Sequence, residues 1–177
     1  MKIEGIIWLE AIVEKLAVKH GVQPEEVESL LESEEEPAKF RFAQKGEWPG
    51  EDVYQALGQT ETGRHLAVLF IRKASAEALI LSAHDMTRSV NSMEESRPLP
   101  EFGTTQELVD YFDSHDMGDH WEQMPEAHFE VSLEKKTYFV SVDAEVMRRL
   151  TEIAHSRQTS REPLVNSWLR EKVMQAS

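Results

Sequence analysis

The chain has 177 residues, with 33 acidic against 19 basic side chains, a formal net charge of -14 and 40% hydrophobic residues. That length accommodates one ordinary domain or two small ones. The absence of cysteine excludes disulfides and thiolate metal sites, and the surplus of acid argues against a general nucleic-acid binder, because phosphate contacts need clustered Lys and Arg.

No apolar run approaches the roughly twenty residues that span a bilayer, and Met1-Lys2-Ile3-Glu4 does not read as a signal peptide, so a cytoplasmic protein with no membrane partner is expected. Leu9 to Lys19 reads as an apolar-rich helix ended by Gly21, and Pro24 opens a second helix through Val27, Leu30 and Leu31. Glu32, Glu34, Glu35 and Glu36 make a polar loop. Four strands are predicted at Lys39 to Ala43, Asp52 to Gly58, His65 to Arg72 and Ala78 to Leu81, with Thr62-Gly63 turning the middle hairpin. A further helix is expected from Asp85 or Thr87. Helices, then an antiparallel meander, then a helix describe a small α+β domain over residues 1–97.

Ser96-Arg97-Pro98-Leu99-Pro100 reads as a linker. Residues 98–133 form an acidic arm: Pro98 to Glu134 holds ten acidic residues and no Lys or Arg. Thr105, Glu107, Leu108, Tyr111 and Phe112 predict a short amphipathic helix there, and Met117-Gly118 and Met124-Pro125 read as breaks. The run His115-Asp116-Met117-Gly118-Asp119-His120 invites a metal reading, but four ligands in one short run need unusual backbone geometry. No metal and no cofactor are expected.

The balance reverses in residues 134–177, where Lys135 to Lys172 holds eight basic against five acidic residues. A short strand, Lys135 to Val142, is followed by two amphipathic helices. Asp143 caps the first, which carries Val146, Leu150, Ile153 and Ala154. After a turn at Arg157-Gln158-Thr159, Ser160 caps the second, with Pro163 in its first turn and Leu164, Val165, Trp168, Leu169 and Val173 as its stripe. So short a strand and so small a pair of helices need a partner copy, which is the logic of a ribbon-helix-helix homodimer that lays a two-stranded ribbon in the major groove of operator DNA. A strand and helical hairpin that merely dimerise would show the same pattern.

The residues also carry a resemblance. Glu101-Phe102-Gly103-Thr104-Thr105, Tyr111 to Asp119, the basic strand and Leu164 to Lys172 resemble the CopG-type antitoxins of the BrnA-like group. Trp8, Lys19-His20-Gly21-Val22, Tyr54 to Thr60, Thr62-Gly63-Arg64 and Ser82 to Arg88 resemble the BrnT toxins, which have a RelE-like ribonuclease fold. The fold class expected is therefore α+β: a small RelE-like domain, an acidic arm, and a C-terminal ribbon-helix-helix module. The resemblance implies a fused toxin–antitoxin-like protein, dimeric, DNA-binding and regulatory, with RNA or a separate toxin as further partners. The arm would cover a basic toxin surface by charge complementarity.

In the DNA-binding reading, Lys135, Thr137 and Ser141 reach bases, while Lys136, Thr159, Ser160 and Arg161 hold phosphates. Phe139 on the same face either touches a thymine methyl or marks decayed reading. The dimer core would be Tyr138, Val140, Val142, Leu150, Leu164, Trp168 and Leu169. In the ribonuclease reading, His20, Arg64, His84 and Arg88, aided by Lys19, are the carriers, because imidazole exchanges protons near neutral pH and guanidinium clamps phosphate. Leu9, Ile12, Val53, Val90 and Asn91 stand where the toxin family tends to carry charge, so a degenerate, non-cleaving domain is expected. A self-neutralised ribonuclease and an interaction scaffold lacking both activities are the alternatives.

Overall fold

The computed structural model describes residues 1–86, 98–115 and 117–176, and divides into two compact units, Met1–Phe139 and Val140–Ser177. The first is a mixed α+β body. It runs β1 (Lys2–Leu9), α1 (Glu10–Lys15), a π-helical turn (Leu16–His20), α2 (Pro24–Glu32), β2 (Lys39–Gln44), β3 (Val53–Gln59), β4 (His65–Arg72), β5 (Glu77–Asp85), α3 (Thr105–Phe112), α4 (Gly118–Trp121), β6 (Glu126–Ala127) and β7 (Glu130–Phe139). Asp85 ends β5 and so does not begin the expected further helix, while Thr87, Arg88, Val90, Asn91 and the start of the linker lie outside the described residues.

The seven strands form one sheet in the order β6-β2-β3-β4-β5-β1-β7. β2 to β5 are the antiparallel meander that the turn residues predict, within a few residues at each end. β1 was not predicted. It pairs in parallel with β5 on one side and β7 on the other, and Ile3, Ile6 and Trp8 are fully buried. Its buried residues alternate with the exposed Lys2 and Glu4 before the apolar run Ile6-Ile7-Trp8. Gly5 allows the close approach: a Cβ there would lie 2.9 Å from the Lys135 carbonyl oxygen.

The strand expected at Lys135 to Val142 begins earlier and ends at Phe139, because β1 supplies a neighbour along its whole length. The expected helix of Leu9 to Lys19 begins at Glu10 and loosens into the π turn before Gly21 closes it at φ 61°. Residues 98–133, read as an arm, add α3, α4, β6 and the start of β7 to the body.

Two apolar layers cover the sheet. On one face Leu16, Val22, Val27 and Leu30 pack over Trp8, Ala56, Val68 and Phe70. On the other, Leu108, Val109, Phe112, Met117 and Met124 pack over Val53, Ala67 and Leu69. The arm is thus held by its apolar stripe as much as by charge. Thr104 caps α3 by accepting from the Glu107 N–H, which fixes where that stripe begins.

The second unit is a helical hairpin of α5 (Ala144–Ser156) and α6 (Arg161–Ala176). Asp143 accepts hydrogen bonds from the Glu145 and Val146 N–H groups, as the sequence predicts, and Gln158 turns the chain at φ 52°. Leu150, Ala154 and Leu164 are buried between the helices. Within this chain the expected stripe is only partly covered, since Val146 is 50% and Leu169 56% exposed. A two-helix unit has one seam, and side chains off that seam face away from it.

Candidate functional site

β1 pairs only with Glu77 to Leu79 of β5, so the second half of β5 keeps an open edge, and α1 with the π turn lies along it. This places cations beside the sheet. Lys15 and Lys19, four residues apart, point the same way, and the Lys15 ammonium donates to the Leu81 carbonyl at 3.0 Å.

Asp113, the C-cap of α3, enters this site. Lys15 Nζ and Lys19 Nζ each donate to its Oδ2 at 3.2 Å, the Ser82 hydroxyl donates to Oδ1, and His20 Nε2 stands 3.6 Å from Oδ1. The carboxylate is 7% exposed. A negative charge at a helix C-terminus opposes the helix dipole by about 0.3–1 kcal/mol, so its location is set by these partners and not by α3. Burial would raise the Asp113 carboxyl, but Ser82 and the two lysines outweigh it and hold it below the usual carboxylate range.

His84 completes the site. Its ring centroid lies 4.4 Å from that of Phe112 and 5.9 Å from that of His20. Its Nδ1 donates to the Asp85 carbonyl at 2.9 Å. Burial lowers the His20 pKa, helped by His84, Lys19 and Lys15 and opposed by Asp113. The shift favours the neutral form of His20. Both His20 Nε2 and His84 Nε2 are buried without a hydrogen-bond partner.

Of the residues singled out for ribonuclease chemistry, His20, His84 and Lys19 come together, and Arg88 lies outside the described residues. Arg64 is held otherwise. Its guanidinium donates to the His20 and Gly21 carbonyls at 3.2 and 2.8 Å, to Glu26 at 3.0 Å and to Asp85 at 2.6 Å. It closes the end of the π turn and so positions His20, with its donors turned to protein acceptors. Val53 is buried in the layer under α3.

The residues singled out for DNA divide between the units. In the body, Lys135 Nζ lies 3.4 Å from Glu77, and Lys136 Nζ lies 2.8 Å from Glu28 and 3.9 Å from Glu32. Glu28 is buried and also accepts from Trp8 Nε1 at 3.0 Å. Thr137 pairs with Ile7, and Phe139, paired with Leu9, is exposed. Ser141, Thr159, Ser160 and Arg161 are exposed in the hairpin unit. Among the dimer-core residues, Tyr138 stacks on Trp8 at 6.5 Å, Leu150 and Leu164 are buried in the hairpin, Trp168 lies under Arg157 at 5.8 Å, and Val140, Val142 and Leu169 are exposed.

The residues that sequence reasoning passed over are Lys15, Ser82 and Asp113. The spacing of Lys15 and Lys19 was a usable signal. Nothing local pairs them with Asp113, which is 98 residues from Lys15. No protein-family model, curated protein or solved structure matches this chain.

Proposed function

We propose that this chain is a fused toxin–antitoxin-like protein whose RelE-like body keeps an RNA-phosphate site that its own acidic helix α3 closes in cis. One observation carries this reading: the Asp113 carboxylate is gripped by two ammonium groups and a hydroxyl, beside two imidazoles. Cations plus a neutral donor are what a phosphate group requires, and a carboxylate is the protein's nearest substitute for it. The cation complement favours binding over turnover. Arg64 is engaged by Glu26 and Asp85, and Val53 is apolar, so the body is read as a non-cleaving remnant.

The test uses the full chain, because cutting after residue 97 would remove α3, β6 and β7 and uncover the layer under α3. In the Asp113→Lys variant a cation replaces the carboxylate. It should bind a short single-stranded RNA about 10-fold more tightly than the unaltered chain, and Lys15→Ala with Lys19→Ala should remove that gain. Equal binding by both proteins would refute the closed-site reading.

A second reading, a dimeric DNA-binding regulator, is supported by the exposed Val140, Val142, Val146 and Leu169 of the locally basic hairpin unit. A C2 interface would cover such side chains, as the ribbon-helix-helix expectation requires. Mobility shift on the DNA upstream of the coding region tests it. Arg161→Ala should weaken binding evenly across sequences, whereas loss confined to one sequence would contradict a phosphate-contact role.

A further inference from the structure

The described residues contain five buried side-chain nitrogen or oxygen atoms with no hydrogen-bond partner: His20 Nε2, His84 Nε2, Arg41 Nε, and both Gln55 Nε2 and Gln55 Oε1. Their distribution is not random. Arg41 pairs with Gln55, Gln55 with Leu69, and Leu69 with Ser82, so these four form one row across β2, β3, β4 and β5. Leu69 belongs to the layer beneath α3 and α4, and His84 follows Ser82 two residues on along β5, on the same side. The row therefore leads from the Asp113 site to Gln55 and Arg41, two strands from Ser82 to Gln55, or roughly 10 Å at the usual strand spacing.

Leaving a buried polar atom unpaired is costly, and apolar residues of similar shape remove that cost. Gln55 is fully buried yet keeps an amide with neither end satisfied. Arg41 is covered by the Trp121 ring, 5.0 Å from the guanidinium carbon; its Nη1 lies 3.7 Å from the exposed Glu126 carboxylate, while its buried Nε keeps no partner. An amide and a guanidinium side by side are the groups that read base edges, and bases also stack on guanidinium planes.

We propose that the sheet face under α3 and α4 is a single-stranded RNA site in which Gln55 and Arg41 recognise one base while Lys15, Lys19 and Ser82 hold a neighbouring phosphate. In the closed chain Asp113 and Trp121 imitate these two parts of a nucleotide. The assignment rests on the closed-site reading above and adds to it the position where sequence is read.

The experiment measures fluorescence anisotropy of labelled eight-residue oligo-U, oligo-C, oligo-A and oligo-G RNA, with oligo-dT beside them, against the full-length Asp113→Lys chain and its Gln55→Leu and Arg41→Met derivatives. The Asp113→Lys chain should prefer one base by about 10-fold, the scale of one good bidentate contact. Gln55→Leu should cut that preference below about 2-fold and leave binding of the poorest base within about 3-fold, because the phosphate site is untouched. Its thermal midpoint should be unchanged or higher, since an unsatisfied amide is replaced by an apolar group in an apolar layer. Should Asp113→Lys lose its folded circular-dichroism signal, Asp113→Asn replaces it throughout the series.

A base preference that survives both Gln55→Leu and Arg41→Met overturns the recognition assignment alone. Oligo-dT bound as tightly as the best RNA overturns the assignment to RNA. Failure of the opened chain to bind any oligonucleotide better than the unaltered chain overturns the closed-site reading itself.

Discussion

The body and the hairpin are incomplete in opposite ways. In the body the core is filled, with Trp8, Phe70 and Phe112 fully buried although Val18, Trp48 and Phe139 are exposed, while among the described residues five buried polar atoms lie unpaired, including those beneath α3 and α4. In the hairpin the polar groups are well served. Asp143 caps α5, and Glu145 with Arg149 and Arg148 with Glu152 form pairs one turn apart at 3.0 and 2.7 Å. There it is the apolar Val140, Val142, Val146 and Leu169 that remain exposed. Unpaired polar atoms next to cations call for a polar, anionic ligand, and exposed aliphatic side chains call for another apolar surface.

The contrast breaks most visibly at Phe112. Its ring is fully buried in the layer on the sheet and meets His84, so Phe112→Ala should lower the unfolding free energy of the body by about 3–5 kcal/mol in a denaturant titration. A change below about 1 kcal/mol would mean that the acidic segment is only loosely seated. Leu169→Glu is the matching change in the hairpin. It should leave α-helical circular dichroism intact and weaken the dimer by about 2–4 kcal/mol in a concentration series by light scattering, since the side chain is exposed in the single chain. A chain that is already monomeric at micromolar concentration would sink the dimer proposal.

Asp113→Asn separates charge from apolar packing within the body. It removes the ion pairs to Lys15 and Lys19 while α3 keeps its stripe, and should destabilise by about 1–3 kcal/mol. A loss as large as that of Phe112→Ala would show that charge, not the apolar layer, holds the segment down.

The smallest effect expected is on pH dependence, and its sign is fixed. His20 is depressed from 6.5 in the folded chain, so the unfolded chain binds the proton first, and stability falls as pH drops below 6.5 towards the folded value. Asp113 is depressed from 3.8, so its contribution is complete above that value and is lost as pH falls further through the folded one. Thermal melts across this range should therefore show two descending limbs. His20→Gln should flatten the upper limb and spare the lower, whereas an unchanged upper limb would remove His20 from the site.

Much of the fold was legible because its signals are local. Gly21 after the basic helix end, Pro24 at the start of α2, the Thr62-Gly63 turn and Asp143 before α5 each act within a few residues, and each stands where expected. The candidate site was legible in part. His20, Lys19 and His84 could be singled out as titratable or cationic residues in a motif, but Arg64 could not be read as the clamp on the His20 carbonyl, since its partners come from α2, β5 and the π turn.

By itself the sequence determined the helix ends, the meander, the acidity of residues 98–134 and the local basicity of the hairpin, because capping, turn chemistry and alternation operate over one or two turns of chain. Only the tertiary structure decided that β1 lies between β5 and β7, that Lys136 pairs with Glu28 across 108 residues, and that Asp113 lies between Lys15 and Lys19. The row from Arg41 through Gln55 to Ser82 exists for the same reason. Strand order and register bring side chains together that have no relation along the chain, and each is set by which apolar faces can be buried at once.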